Sequence, residues 1–121
     1  MRQRAASSSY CKNPLAVRFQ PLEKLINLHD GYRRRFKIDS VGLLLIQQGE
    51  QRYLLEDRCP HRGHPLEAAD INSGCVQCPL HQYRFDLTTG AVVSATEEAC
   101  RSLRVYELVY EGNEVGLLMP D

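Results

Sequence analysis

Two short stretches of the chain concentrate its metal-binding side chains: "CPHRGHPL", Cys59 to Leu66, and "CVQCPLHQYRF", Cys75 to Phe85. Cys59 and His61 are separated by one residue, Cys78 and His81 by two, and 16 residues lie between the two pairs. Each pair therefore offers one soft thiolate and one imidazole. A structural zinc ion usually closes a chelating pair spaced C-x(2–4)-C or H-x(3–5)-H onto one centre. With a single residue between them, Cys59 and His61 reach awkwardly for one tetrahedral ion. That spacing suits a binuclear centre better, where neighbouring side chains go to different metals, with a zinc module as the alternative.

The remaining cysteines and histidines read more plainly. His64 is expected as an ordinary loop residue and His29, before "DG", as a turn residue. Cys75 precedes Cys78 by three, a redox-pair spacing, but it fits a buried strand cysteine better. Cys11 and Cys100 have no evident partner. Five cysteines are an odd number, which argues against a fully paired disulfide framework and for metal or redox chemistry.

These loops need a scaffold, and the flanking sequence describes a β domain. "RRRFKID", "VGLLLIQQ" and "QRYLLED" read as strands joined by the turns "DS" and "GE". "YRFDLTTGAVV" reads as a hairpin turning at Thr88 to Gly90. "SLRVYELVY" alternates like a strand and leads through "EGN" into "EVGLLM". "PLEKLINL" places Leu22, Leu25, Ile26 and Leu28 at helical spacing and is the one expected helix. The 121 residues suffice for one core. They divide into a flexible arm, 1–14, and a single domain, 15–121. Net charge is zero, which removes any global attraction to nucleic acid or membrane. The zero conceals an asymmetry: residues 1–37 carry nine basic and two acidic side chains, and residues 38–121 carry six and thirteen. The "RRR" run at Arg33 to Arg35 is expected as a charged strand edge. The first ten residues lack the apolar core of a signal peptide, and no apolar run approaches a bilayer span, so the expected location is cytoplasmic.

The pattern C-x-H followed by C-x-x-H resembles the Rieske signature, in which two histidines replace two cysteines on one iron of a [2Fe–2S] cluster. "DRCPHRGHPL" and "CPLHQYRFDLTTGAV" are similar to the Rieske-type ferredoxins that serve bacterial ring-hydroxylating dioxygenases, and the strand pattern from about Val17 to Met119 agrees. The resemblance implies an all-β, antiparallel sandwich with a small cluster-binding subdomain formed by two loops. It implies one cluster per chain, with Cys59 and Cys78 on the inner iron. His61 and His81 would hold the outer iron, their remaining ring N–H groups near the surface. The implied function is one-electron transfer from a flavoprotein ferredoxin reductase to a terminal oxygenase, with no catalytic residues in the chain itself. A small Rieske-fold subunit of an assimilatory nitrite reductase is the alternative, although many of those have lost the ligands present here.

Departures from the family pattern also carry information. Gln82 stands where the family usually has glycine, which matters if the position needs a positive φ. His64 and Leu80 occupy the positions of the extra disulfide in high-potential respiratory members. Tyr83 and Phe85 occupy those of the hydroxyl donors to the cluster sulfurs. Fewer such bonds imply the lower part of the Rieske range, which spans roughly −150 to +300 mV.

Overall fold

The computed structural model describes residues 17–61, 63–80 and 82–120; the expected arm, 1–14, lies outside the described residues. The described residues form eleven strands, β1 (Val17–Lys24), β2 (Arg33–Ile38), β3 (Val41–Gln48), β4 (Gln51–Glu56), β5 (Asp70–Asn72), β6 (Cys75–Gln77), β7 (Arg84–Asp86), β8 (Val92–Ser94), β9 (Val105–Tyr106), β10 (Val109–Glu111) and β11 (Glu114–Pro120). They build three sheets with strand orders β1-β11-β10, β2-β3-β4-β9 and β5-β6-β7-β8, and every pairing is antiparallel.

The continuous apolar run of β3 explains how the sheets stack. Leu43 and Leu45 point into one core with Leu54, Val115 and Leu117. Leu44 and Ile46 point the other way, into a second core with Leu55, Val76, Phe85 and Leu87. Alternate residues of one strand therefore serve two cores, which is why "LLLI" shows no polar alternation. The β2-β3-β4-β9 sheet is the shared middle layer. One face packs on the β1-β11-β10 sheet and the other on the small sheet that presents the cysteine loops.

Two expectations change. "PLEKLINL" is not a helix: Pro21 to Lys24 belong to β1, and only Leu25–Asn27 make a single 3-10 turn. Pairing of β1 along β11, from Val17 opposite Pro120 to Lys24 opposite Glu114, overrides a weak helical periodicity. "SLRVYELVY" is not one strand either. It breaks at Glu107–Leu108, with β9 joining the middle sheet and β10 the terminal one. The hairpin at Thr88 to Gly90 forms as read. Gly90 has φ +80, and a Cβ there would overlap the Leu103 carbonyl. Among the described residues no helix is long and apolar enough to cross a membrane.

Candidate metal centre

The two loops share one backbone design. In the first, the Cys59 amide donates to the His64 carbonyl (2.7 Å), and the Gly63 amide donates to the Cys59 carbonyl (2.6 Å). In the second, the Cys78 amide donates to the Tyr83 carbonyl (2.8 Å), and the Gln82 amide to the Cys78 carbonyl (2.8 Å). Each loop thus opens on Cys-Pro and closes a bond from its fifth residue back to the cysteine. A second bond runs from the cysteine to the sixth residue. The fifth residue is left-handed in both, with φ +74 at Gly63 and +62 at Gln82. These amides close the loops, so they are not the ones that would point at a bound anion.

The thiols sit at the base of these turns. Cys59 is 1% exposed and Cys78 2%, and both pack in the same apolar core with Leu66, Tyr83 and Phe85. Leu66 is fully buried and shields them, whereas Pro65 is exposed. At the rim Leu80 is half exposed. Cys75 lies in β6, half-buried, and His64 contributes its carbonyl to the first loop. His29 is a turn residue, accepting from the Tyr32 amide.

His61 is held by groups from outside its own loop. Its ring stacks on Tyr83 at 4.1 Å between centroids, with the planes 12° apart. The Tyr83 hydroxyl accepts from the amides of Glu98 (2.7 Å) and Glu97 (3.2 Å) and donates to the Glu98 carbonyl. That segment folds over the histidine, leaving its side chain 3% exposed and its Nε2 3.3 Å from Glu97 Oε1 and 3.7 Å from Glu98 Oε1. The expectation of a surface-exposed N–H on His61 is therefore corrected. Glutamates cover that nitrogen, because Tyr83 holds their backbone in place. His61 would be the imidazole ligand from this loop, with a carboxylate beside Nε2 orienting its ring. His81 lies outside the described residues.

The sequence did not reveal what fixes the loops to the sheet. Asp57 precedes the first loop, and its Oδ1 accepts from the Leu66 amide at 2.9 Å, spanning the loop's base. Its Oδ2 lies 2.7 Å from Arg35 Nε. Burial pushes the Asp57 carboxyl above the usual range, and the Leu66 amide and the Arg35 charge only partly oppose this. Glu56, also buried, accepts from both terminal guanidinium nitrogens of Arg101 (2.7 and 2.9 Å) and from the Arg104 amide (2.7 Å). Burial raises the Glu56 carboxyl, but those bonds and charges outweigh it and leave the group below its ordinary value. Arg33 donates to the carbonyls of Glu67 (2.8 Å) and Ala69 (2.7 Å), just beyond the first loop. The arginine run is indeed on an edge strand, but two of its members moor the cysteine loop.

Comparison with known proteins agrees with this architecture. Residues 19–107 match the family described as Rieske [2Fe-2S] domain. The chain is 28% identical over 83 residues to ferredoxin CarAc of Metapseudomonas resinovorans, covering 69% of this chain and 76% of that one. It is 31% identical over 64 residues to human apoptosis-inducing factor 3, covering 53% of this chain but only 11% of that much longer protein. The ferredoxin of carbazole 1,9a-dioxygenase from Nocardioides aromaticivorans IC177 superposes with a TM-score of 0.70 at 27% identity, over 85% of this chain and 98% of that one.

Proposed function

The chain belongs to the Rieske [2Fe-2S] domain family, and we propose that it is a one-electron carrier, taking electrons from a flavoprotein reductase and delivering them to a terminal oxygenase. The donor set suits the family's cluster. Two buried thiols at the base of twin loops match the soft ligands of one iron, and an enclosed imidazole matches the other. In this reading Cys59 and Cys78 hold the inner iron, and His61 and His81 the outer one. When bound, the cluster supplies a centre that accepts and returns one electron.

The chain's own residues hold that centre rigid and partly dry. The moorings from Asp57, Arg33 and Arg35 fix the first loop, and Tyr83 fixes both the His61 ring and the backbone beyond it. Rigid ligands limit rearrangement between redox states, which is what a carrier requires. The Tyr83 hydroxyl is engaged with Glu97 and Glu98, and Phe85 has none, so neither supplies the bond to sulfur that raises potential. We therefore place the centre in the lower part of the Rieske range.

The observation that carries this reading is the twin-loop geometry presenting two buried cysteines. A single-turnover experiment tests it. Chemically reduced holo-protein is mixed with the oxidised terminal oxygenase of a ring-hydroxylating dioxygenase system. One electron per chain should leave the protein, with no product formed by the chain alone. A protein that stays reduced, or that turns over substrate unaided, would overturn the assignment.

A further inference from the structure

Two grooves run alongside the first cysteine loop and share a wall. One, about 280 Å³, is lined by Arg35, Lys37, Asp57, Arg58, Gly63 and Pro65. The other, about 260 Å³, is lined by Glu56, Arg58, Arg101, Arg104 and Tyr106. Ser40 and Gly42, at the β2–β3 turn, border both, and Arg58 stands between them. The Arg58 guanidinium lies over the loop itself, since a Cβ on Gly63 would come within 3.0 Å of it.

The charges do not cancel. The two carboxylates in the grooves are both committed, Glu56 to Arg101 and Asp57 to Arg35. Lys37, Arg58 and Arg104 are exposed, and among the described residues no carboxylate pairs with them. Three cations without an ion-paired carboxylate therefore face solvent beside the first cysteine loop, in a chain whose net charge is zero. Two of them flank one groove wall, which gives the patch an extent closer to a protein surface than to a single ion. Adjacent charges this close to a centre steer the approach of an opposite charge strongly.

We propose that Lys37, Arg58 and Arg104 form the docking surface for a redox-partner protein that presents clustered carboxylates. This rests on the carrier reading, and it assigns the partner-facing side of the first loop. The test uses reduced holo-protein and the anionic oxidant cobalt(III)–EDTA. One electron passes from the reduced cluster to cobalt, giving cobalt(II) and the diferric cluster. Hexaammineruthenium(III) serves as a cationic control accepting one electron in the same way.

Oxidation by the anion should slow as salt is raised, because the opposite charges are screened. Lys37→Glu or Arg58→Glu should slow it several-fold at low salt and flatten the salt dependence. Lys24→Glu makes the same change in net charge on β1, which lines neither groove, and should leave the rate near that of the parent. The cationic oxidant should not share the anion's losses. Poly-L-glutamate should inhibit the parent protein and not Arg58→Glu, whereas inorganic phosphate at equal total charge should compete far less. An anion rate that is flat in salt or unchanged in both groove variants would overturn the proposal. So would phosphate competing as well as the polymer, which would make the patch a small-anion site. Loss of the visible spectrum in the parent protein would instead indict the carrier reading, and Lys37→Glu, a surface change, keeps the spectrum as an internal check.

Discussion

At the scale of single residues, Gln82 shows how a fold tolerates a local misfit. The twin hydrogen-bond pattern demands a left-handed fifth residue in each loop; Gly63 supplies it without penalty, and Gln82 supplies it under strain. A side chain in that region costs about 1–2 kcal/mol, while glycine's looser unfolded chain returns part of the difference, about 0.5–1 kcal/mol. Gln82→Gly should therefore raise stability by about 0.5–1 kcal/mol in denaturant titrations. A loss instead would mean that the glutamine side chain makes a compensating contact. The ligand assignment has its own test. Cys59→Ser or Cys78→Ser should abolish or greatly weaken the visible chromophore, since a hard alkoxide replaces a soft thiolate. His64→Ala and Cys75→Ala should leave it nearly intact, and bleaching by either would redraw the ligand set. The clustering of cysteine and histidine in two stretches was visible in the sequence because metal chemistry restricts donor type, and the structure brings Cys59 and Cys78 into one apolar core. The strain at Gln82 was legible only as a conditional, since a φ angle depends on the closed loop. The mooring by Asp57 was not legible, because a carboxylate reaching an amide nine residues on leaves no sequence signature.

Among the elements, the segment at Glu97–Glu98 has little regular structure and depends on Tyr83 for its position. Tyr83→Phe keeps the stacking on His61 but removes three hydrogen bonds. Because the segment is exposed, water replaces most of that loss, and the global cost should be only about 1 kcal/mol. The sharper readout is amide exchange, which should quicken at Glu97 and Glu98 and little elsewhere; unchanged exchange there would mean that Tyr83 does not hold the segment. The link between β4 and the chain before β9 is electrostatic. Glu56 has a folded-state pKa below its unfolded one, so its stabilisation is present above the ordinary carboxylate range and is lost as pH falls through the folded value. Glu56→Gln should cost about 1.5–3 kcal/mol at neutral pH and show a shallower decline between neutrality and acid. Asp57 works in the opposite sense, its raised pKa lowering stability as pH rises through the shifted range, so the difference between parent and variant is the quantity to measure. Parallel acid profiles would contradict the pairing. Most strands were legible from alternation and turns. The β1 segment was misread because Leu22, Leu25, Ile26 and Leu28 satisfy both a helical stripe and a strand leading into a 3-10 turn, and only the partner β11 decides between them. The split of "SLRVYELVY" was hidden for the same reason, since alternation does not say which sheet a strand joins.

Across the whole molecule, β3 is the shared wall of a structural core and a core that contains the cysteines. One layer therefore serves as scaffold for the sandwich and as floor for the metal loops. The first 37 residues carry nine of the basic side chains, and the run at Arg33 to Arg35 reads in the sequence as a charged strand edge. In the structure Arg33 and Arg35 are also internal moorings, while Lys37, Arg58 and Arg104 stay exposed. That redistribution follows from which carboxylates and carbonyls the fold brings within reach, and no charge count contains it. The central claim is that two thiolates and two imidazoles share one binuclear iron–sulfur centre. Pulsed electron paramagnetic resonance of the chemically reduced protein, carrying ¹⁵N-labelled histidine, tests it most directly. The expected result is a paramagnetic reduced cluster coupled to two histidine nitrogens, with both couplings retained in His64→Ala and one lost or replaced in His61→Cys. A reduced cluster with no histidine coupling, or a colourless protein with no signal and stoichiometric zinc, would contradict it.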